Sequence, residues 1–380
     1  MEKQRFVPGK GRGWQYGTWL LLVLVLLVVS CQQEGQVQEE FARRMKVLQR
    51  QYVPDPTLDV LHADLQQQQG EWVLRGETTV PAARQAVRAL ADSLLQQPFM
   101  DSLVILPHPS LGDSIYGIIT VSVAHLREEP RHAAQLVDQA ILGDELRLLK
   151  RRGGWYLVQT HYRYIGWMRR ESFARTDQNG LTAWRHNPRV RVTRLFAIIH
   201  SRPDATSEPV SDAVLNARLR EVSREGRWVK VVLPDGRQGF IASEAVTADV
   251  KIQLPRERLR DAIIRTARSM MGIPYLWGGN SSKGNDCSGF TQTVFFAKGI
   301  QLPRDARQQA LVGDTVHVDS AFTNVLPGDL LFFGQKGRIT HVGISLGGAA
   351  FIHQSGYVHV NSLDPASPLY SKYRHQTLQV

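Results

Sequence analysis

Between residues 113 and 247 the chain carries one pattern of short strands twice. Residues 115–124, 139–149, 155–160 and 164–168 are strand-like and separated by turn signals such as Gly153-Gly154. Residues 190–199, 217–222, 228–233 and 239–241 repeat the pattern about 70 residues later. In each copy a Gly-Trp or Arg-Trp pair opens a strand (Gly154-Trp155, Arg227-Trp228), and a glycine step leads into the closing one (Gly166-Trp167, Gly239-Phe240). Short strands at regular turn spacing close into small barrels or sandwiches. Two tandem barrels are therefore expected over 113–178 and 185–250, with 177–188 as a polar linker between them.

On either side the pattern changes. Residues 49–112 read as a small α/β unit. Within it, 71–79 alternates as a strand does, Val80-Pro81 punctuates, and 82–95 carries Val87, Leu90 and Leu94 at helical spacing. Nothing there carries chemistry, so a packing or spacer role is expected. Residues 255–380 open on a helix, with Leu259, Ile263, Ala267 and Met270 spaced three to four apart and a stop at Gly272 and Pro274.

The chain has 380 residues and only two cysteines, Cys31 and Cys287, too few for a disulfide framework or a cysteine-rich zinc site. Cys31 follows a basic start (Lys3, Arg5, Lys10, Arg12) and the apolar run 20–29. That run is too short to cross a bilayer core of about 30 Å and has the length of a signal-peptide core. Val28-Val29-Ser30-Cys31 resembles a bacterial lipobox, which implies that 1–30 is a signal peptide and that Cys31 is acylated. Residues 31–48 then read as a polar, flexible tether. An ordinary secretory signal beside an incidental cysteine is the alternative. Gln32 is unlike the Asp that retains enterobacterial lipoproteins in the inner membrane. Export to the outer membrane, facing the periplasm, is therefore expected.

Cys287 has different surroundings. Asp286-Cys287-Ser288-Gly289-Phe290 is followed by an apolar stripe of Phe290, Val294 and Phe295, and Gly299 ends the segment. This places Cys287 in the first turn of a helix, where unpaired N–H groups favour a thiolate and a lowered thiol pKa. A thiolate nucleophile needs a base, and the base needs an orienting group. In residues 339–346, Val342, Ile344 and Leu346 alternate with His341, and 350–354 offers His353 on a neighbouring strand. His341 is the expected base and His353 the group that holds its tautomer.

Together these pieces resemble the catalytic domain of the NlpC/P60 family, papain-like cysteine peptidases of bacterial cell walls. The matching segments are Pro274-Tyr275-Leu276-Trp277-Gly278-Gly279, Asp286 to Phe290, Leu302-Pro303-Arg304, Pro327-Gly328-Asp329-Leu330, Thr340 to Ile344, and Phe351-Ile352-His353, in family order. The barrels resemble bacterial SH3-like domains. The resemblance implies an α+β chain: a papain-like catalytic domain over 255–380, preceded by two SH3-like barrels and the small α/β unit. It further implies hydrolysis of the γ-D-glutamyl-L-diamino acid bond of peptidoglycan stem peptides, with preference for a free N-terminal L-Ala. Carried over by position, the catalytic set is Cys287, His341 and His353. Tyr275 falls at the oxyanion and substrate region, Asp286, Ser288 and Asp305 at substrate-binding positions, and Tyr164 of the first barrel at the wall of the site. Gln135 stands where the family has an acid that meets the substrate amine. An amide lacks the charge-assisted strength of a carboxylate, leaving Asp286 and Asp305 as the nearby acids.

The net charge of +11 is spread along the chain without a basic stripe or a nucleic-acid-binding motif, so no nucleic-acid partner is expected. His317 and His359 fit no metal-ligand pattern, and neither a metal nor an organic cofactor is expected. The expected partners are stem peptides and, through a lipid anchor, a membrane; the chain is expected to be a monomer. Two other functions are compatible with parts of the sequence. One is a non-catalytic wall-binding lipoprotein, which would have no use for the Cys-His-His set. The other is a related cysteine amidase or acyltransferase on the same fold.

Overall fold

A computed structural model describes residues 34–379. The predicted signal peptide and Cys31 lie outside the described residues. Two compact units divide the chain at Leu106/Pro107.

In the first unit, a helix runs through residues 34–52. Leu61–Gln68 pairs antiparallel with Glu71–Thr78, and helix Pro81–Leu95 leads back to Met100–Ile105, parallel to Glu71–Thr78. The expected tether over 31–48 is corrected here. Val37, Phe41, Met45, Leu48 and Tyr52 recur at helical spacing, and Phe41 and Met45 are buried with Leu74, Val87 and Leu90. The polar residues between them form the outer face of an amphipathic helix.

The second unit begins with the two barrels. Each has seven strands, and in each the strands, numbered in chain order, lie side by side as 7-1-4-5-6-2-3. The sequence repeat is therefore a repeat of topology. Ile119, Leu126, Leu148, Val158 and Met168 fill the first barrel, and Val192, Ile199, Leu219, Val231 and Ile241 fill the second. Each such side chain contributes about 1.5–3 kcal/mol of burial. The expected linker 177–188 instead contains helix Gln178–His186, with Asp177 accepting the Gly180 N–H at 2.8 Å and Leu181 and Trp184 buried. The N-cap and the two apolar residues one turn apart outweigh the polar composition.

In the catalytic domain, helices Arg256–Ser269 and Cys287–Phe296 pack on a four-stranded antiparallel sheet of Leu330–Gln335, Arg338–Gly347, Ala350–Ser355 and Tyr357–Ser362. Phe290, Val294, Ile263 and Ala267 meet Ile344 and Ile352 in one core.

One buried ion cluster joins this domain to the first barrel. Arg304, 2% exposed, donates to Asp138 of the barrel at 2.6 Å and to Asp286 at 2.7 and 3.0 Å. Tyr162 and Asn280 also donate to Asp138. Burial pushes the Asp138 carboxyl up to about 6 against the pull of Arg304 and Tyr162. With donors surrounding both oxygens, the deprotonated form is the one that fits. Replacing Arg304 with Ala would leave two carboxylates buried without their shared cation. A loss of about 3–5 kcal/mol in the stability of the Pro107–Val380 unit is expected by urea denaturation.

Candidate active site

Cys287 is the first residue of its helix, and Asp286 is the N-cap, accepting the Gly289 N–H at 2.8 Å. Two glycines, one in the helix and one in the loop before it, stand where no side chain fits. A Cβ on Gly289 would lie 2.1 Å from the Gly279 carbonyl oxygen. Gly278 has φ +71°, and a Cβ there would lie 2.3 Å from the Leu136 carbonyl oxygen, so the first barrel presses directly on this loop.

The sheet supplies the histidines through its period of two. Gly343 pairs with His353, and Phe351 with Asn361. His341, His353 and Asn361 are therefore diagonal neighbours on one face. His341 Nε2 lies 2.8 Å from His353 Nδ1, and His353 Nε2 lies 2.9 Å from Asn361 Oδ1. Asn361 Nδ2 donates to the Leu369 carbonyl, which turns its oxygen toward His353. That oxygen only accepts, so His353 carries its proton on Nε2 and accepts on Nδ1. His341 must then carry its proton on Nε2, which leaves its Nδ1 lone pair as the basic site. The Cys287 sulfur accepts the N–H of Val342, the residue after His341.

Burial sets the charge state. The thiol is pushed up to about 11 by burial and then by Asp286, against the Val342 and Ser288 N–H groups and Arg304. His341 is held well below the usual imidazole value by burial, then by Arg374 and His353, and burial takes His353 down to about 3. The expected lowering of the thiol pKa is thus corrected. At 8% exposure and beside a carboxylate, desolvation of the thiolate outweighs the helix N-terminus. Both shifts favour a neutral thiol beside a neutral imidazole at rest.

The other predicted residues fall into two groups. Tyr275 is half-buried and electrostatically coupled to Cys287 and Asp286, with its phenol pushed up chiefly by burial. Tyr164 of the first barrel is buried and hydrogen-bonded to Asp305, which caps helix Ala306–Gln309 and pairs with Arg307 at 3.0 Å. Tyr275 is thus linked to Cys287, and Tyr164 and Asp305 to each other. Asp286 and Ser288 are engaged inward. Asp286 accepts from the Gly278 and Gly289 N–H groups, from Ser288 Oγ and from Arg304, while Ser288 Oγ also accepts from Arg304 at 3.0 Å. Gln135 is exposed, on the hairpin that also carries Glu128; its carbonyl accepts the Glu128 N–H. Among the described residues, no group of three His, Cys, Asp or Glu side chains is arranged to hold a metal.

Sequence reasoning missed the orienting Asn361, the cation Arg374 near His341, and the Arg304–Asp138 contact. Asn361 was accessible: a turn at Ser355-Gly356 sets His353 opposite His359 and so brings residue 361 to the same face. Asp138 was not, since it lies 166 residues from Arg304 in another domain.

A cysteine at a helix N-terminus, facing a sheet-borne His–His–Asn chain, defines a cysteine peptidase of papain-like architecture. The NlpC/P60 family model matches residues 272–379, and a model described as a bacterial dipeptidyl-peptidase SH3 domain matches residues 126–173. Over 236 residues the chain is 31% identical to the γ-D-glutamyl-L-lysine dipeptidyl-peptidase of Bacillus cereus, spanning 58% of this chain and 68% of that one. It is 29% identical over 262 residues to dipeptidyl-peptidase 6 of Lysinibacillus sphaericus, spanning 67% and 93% respectively. A solved NlpC/P60 family protein from Bacillus cereus superposes with a TM-score of 0.58 at 26% identity, covering 68% of this chain and 99% of that one. The chain belongs to the NlpC/P60 family and is a cell-wall cysteine peptidase.

The neutral resting pair has a measurable consequence. Alkylation of Cys287 by iodoacetamide in the ligand-free enzyme is expected to be slow at neutral pH and to accelerate toward about 11. Fast alkylation already below about pH 7.5, as activated thiols show, would instead mean a preformed thiolate.

Proposed function

We propose that this peptidase hydrolyses the γ-D-glutamyl-L-diamino acid bond of peptidoglycan stem peptides, with Cys287 as nucleophile, His341 as base and His353 as its orienting partner. The observation that carries the mechanism is the hydrogen-bonded chain from His341 through His353 to Asn361, which leaves His341 Nδ1 unprotonated. As the Cys287 sulfur attacks the γ-carbonyl carbon, its proton passes to His341 Nδ1. The oxyanion is met by first-turn N–H groups of the Cys287 helix, which have no intrahelical acceptor, and by the Tyr275 hydroxyl. Collapse to a thioester breaks the C–N bond, and the His341 imidazolium protonates the departing amine. Water then gives a proton to His341, attacks the thioester and releases the acid and the thiol.

Substrate choice follows from the surroundings. The relatives' printed names specify γ-D-glutamyl-L-lysine and dipeptidyl-peptidase, which supports the γ-glutamyl bond and a dipeptide-sized amino-terminal product. Asp286 is saturated by Arg304 and backbone donors, and Gln135 is neutral. Asp305, bonded to Tyr164 and paired with the exposed Arg307 rather than with a buried cation, is then the acid for the free amine of L-Ala. Lipid anchoring at Cys31 in the outer membrane belongs to the same proposal, supported by the basic start, the apolar run 20–29 and the Ser30-Cys31 pair.

The test compares L-Ala-γ-D-Glu-diaminopimelate, its N-acetylated form and intact sacculi, with Cys287→Ala as control. Turnover of the free peptide is expected, with kcat/KM about 10- to 100-fold lower after acetylation, the value of one charge-assisted hydrogen bond. Equal rates would remove the amine preference. No wild-type turnover on any of the three, under reducing conditions, would falsify the assignment.

A further inference from the structure

Away from Cys287, at the opposite end of its helix, the two barrels and the catalytic domain border an open crevice of about 510 Å³. Arg185, Arg189, Arg191, Arg218 and Lys251 line it, with Phe296 and Gly299 of the catalytic domain on the far wall. Three of the guanidiniums converge on one carboxylate: Asp249 receives Arg189 at 3.2 Å, Arg191 at 3.1 Å and Arg218 at 3.3 Å. The Arg191 and Asp249 side chains are only 9% and 7% exposed. Glu145 is taken by Arg185, and Asp144 lies 3.4 Å from Arg218. Five cations thus face three carboxylates, a surplus of two positive charges; Arg185 and Lys251 are exposed, whereas Arg189, Arg191 and Arg218 are largely buried.

Such a surplus is unfavourable unless something balances it. Desolvation and the neighbouring Arg218 both push the Arg189 guanidinium below its ordinary value. Surface arginines shed repulsion by turning into solvent. Arg189, Arg191 and Arg218 are instead fixed by packing: Arg191 donates to the carbonyls of Phe296 and Val250, Arg218 lies 4.7 Å over the Phe296 ring, and Arg189 lies over Trp184. A fixed cluster of planar forks matches the oxygens of phosphate or carboxylate better than any other common ligand. The charge selects between them. A phosphate group carries about −1.5 to −2 at neutral pH and balances the whole surplus, whereas a single carboxylate balances half of it. The volume lies in the range of small-molecule sites.

We propose that this three-domain junction is a binding site for a dianionic phosphate group, separate from the peptide-cleaving centre. None of its lining residues belongs to the Cys287, His341, His353 set. Its cations all come from residues 185–251, and the first barrel and the end of the Cys287 helix form the facing walls.

Isothermal titration calorimetry of the full chain tests this, with inorganic phosphate, glycerol 3-phosphate and acetate titrated at constant ionic strength. Saturable binding of inorganic phosphate, at least about tenfold tighter than acetate, is expected. Binding of glycerol 3-phosphate as well would support an esterified phosphate as the natural ligand, and binding of inorganic phosphate alone would support the free ion. Arg189→Gln with Arg218→Gln should weaken binding by at least about tenfold, with far-UV circular dichroism unchanged. Asp249→Asn, which raises the surplus charge, should tighten it. No saturable phosphate binding, acetate binding as tight as phosphate, or an Asp249→Asn variant that binds more weakly would each overturn the proposal.

Discussion

Arg304 is the charge on which the geometry of the site depends. One buried guanidinium satisfies Asp138 on a barrel strand and Asp286 immediately before Cys287. Either carboxylate alone would be expensive in that environment, and the cation alone more so. Together they hold the first barrel in one position against the loop at Gly278, where backbone meets backbone too closely for any side chain. The barrel therefore carries Tyr164, bonded to Asp305 at the start of helix Ala306–Gln309, in a fixed place.

The same economy of polar groups governs the sheet. Asn361, His353 and His341 form a directional chain whose protons can be placed in only one way once the asparagine oxygen faces inward. Burial keeps the chain neutral, and it keeps the thiol neutral too. In the proposed reaction the proton moves from sulfur to nitrogen only when a carbonyl carbon is there to take the sulfur's electrons. A buried neutral thiol is also protected from oxidation while it waits, because the thiolate is the species that oxidants attack. At the other end of the helix the cations outnumber the carboxylates, and in the proposed phosphate site an external anion closes that balance.

Much of this was legible in the sequence. Period-two alternation placed His341 and His353 on neighbouring strands, the turn spacing revealed the paired barrels, and Asp286 announced the helix start. Two segments misled because composition hid periodicity. Residues 34–52 are so rich in Gln, Glu and Arg that the stripe Val37, Phe41, Met45, Leu48 and Tyr52 read as tether. Residues 178–186 are equally polar, yet Asp177, Leu181 and Trp184 suffice for a short helix. The thiol pKa failed for another reason. A helix N-terminus is visible in sequence, but the desolvation that outweighs it depends on what covers the sulfur. Contacts between domains, such as Arg304 with Asp138, leave no local pattern at all.

The central claim is that Cys287 carries the acyl group of the substrate as a thioester. Rapid acid quench during turnover of L-Ala-γ-D-Glu-diaminopimelate, followed by mass spectrometry of proteolytic fragments, measures this directly. The account predicts an L-Ala-D-Glu adduct confined to the peptide containing Cys287 and absent from Cys287→Ser. Turnover without that adduct, or an adduct on any other residue, would contradict it.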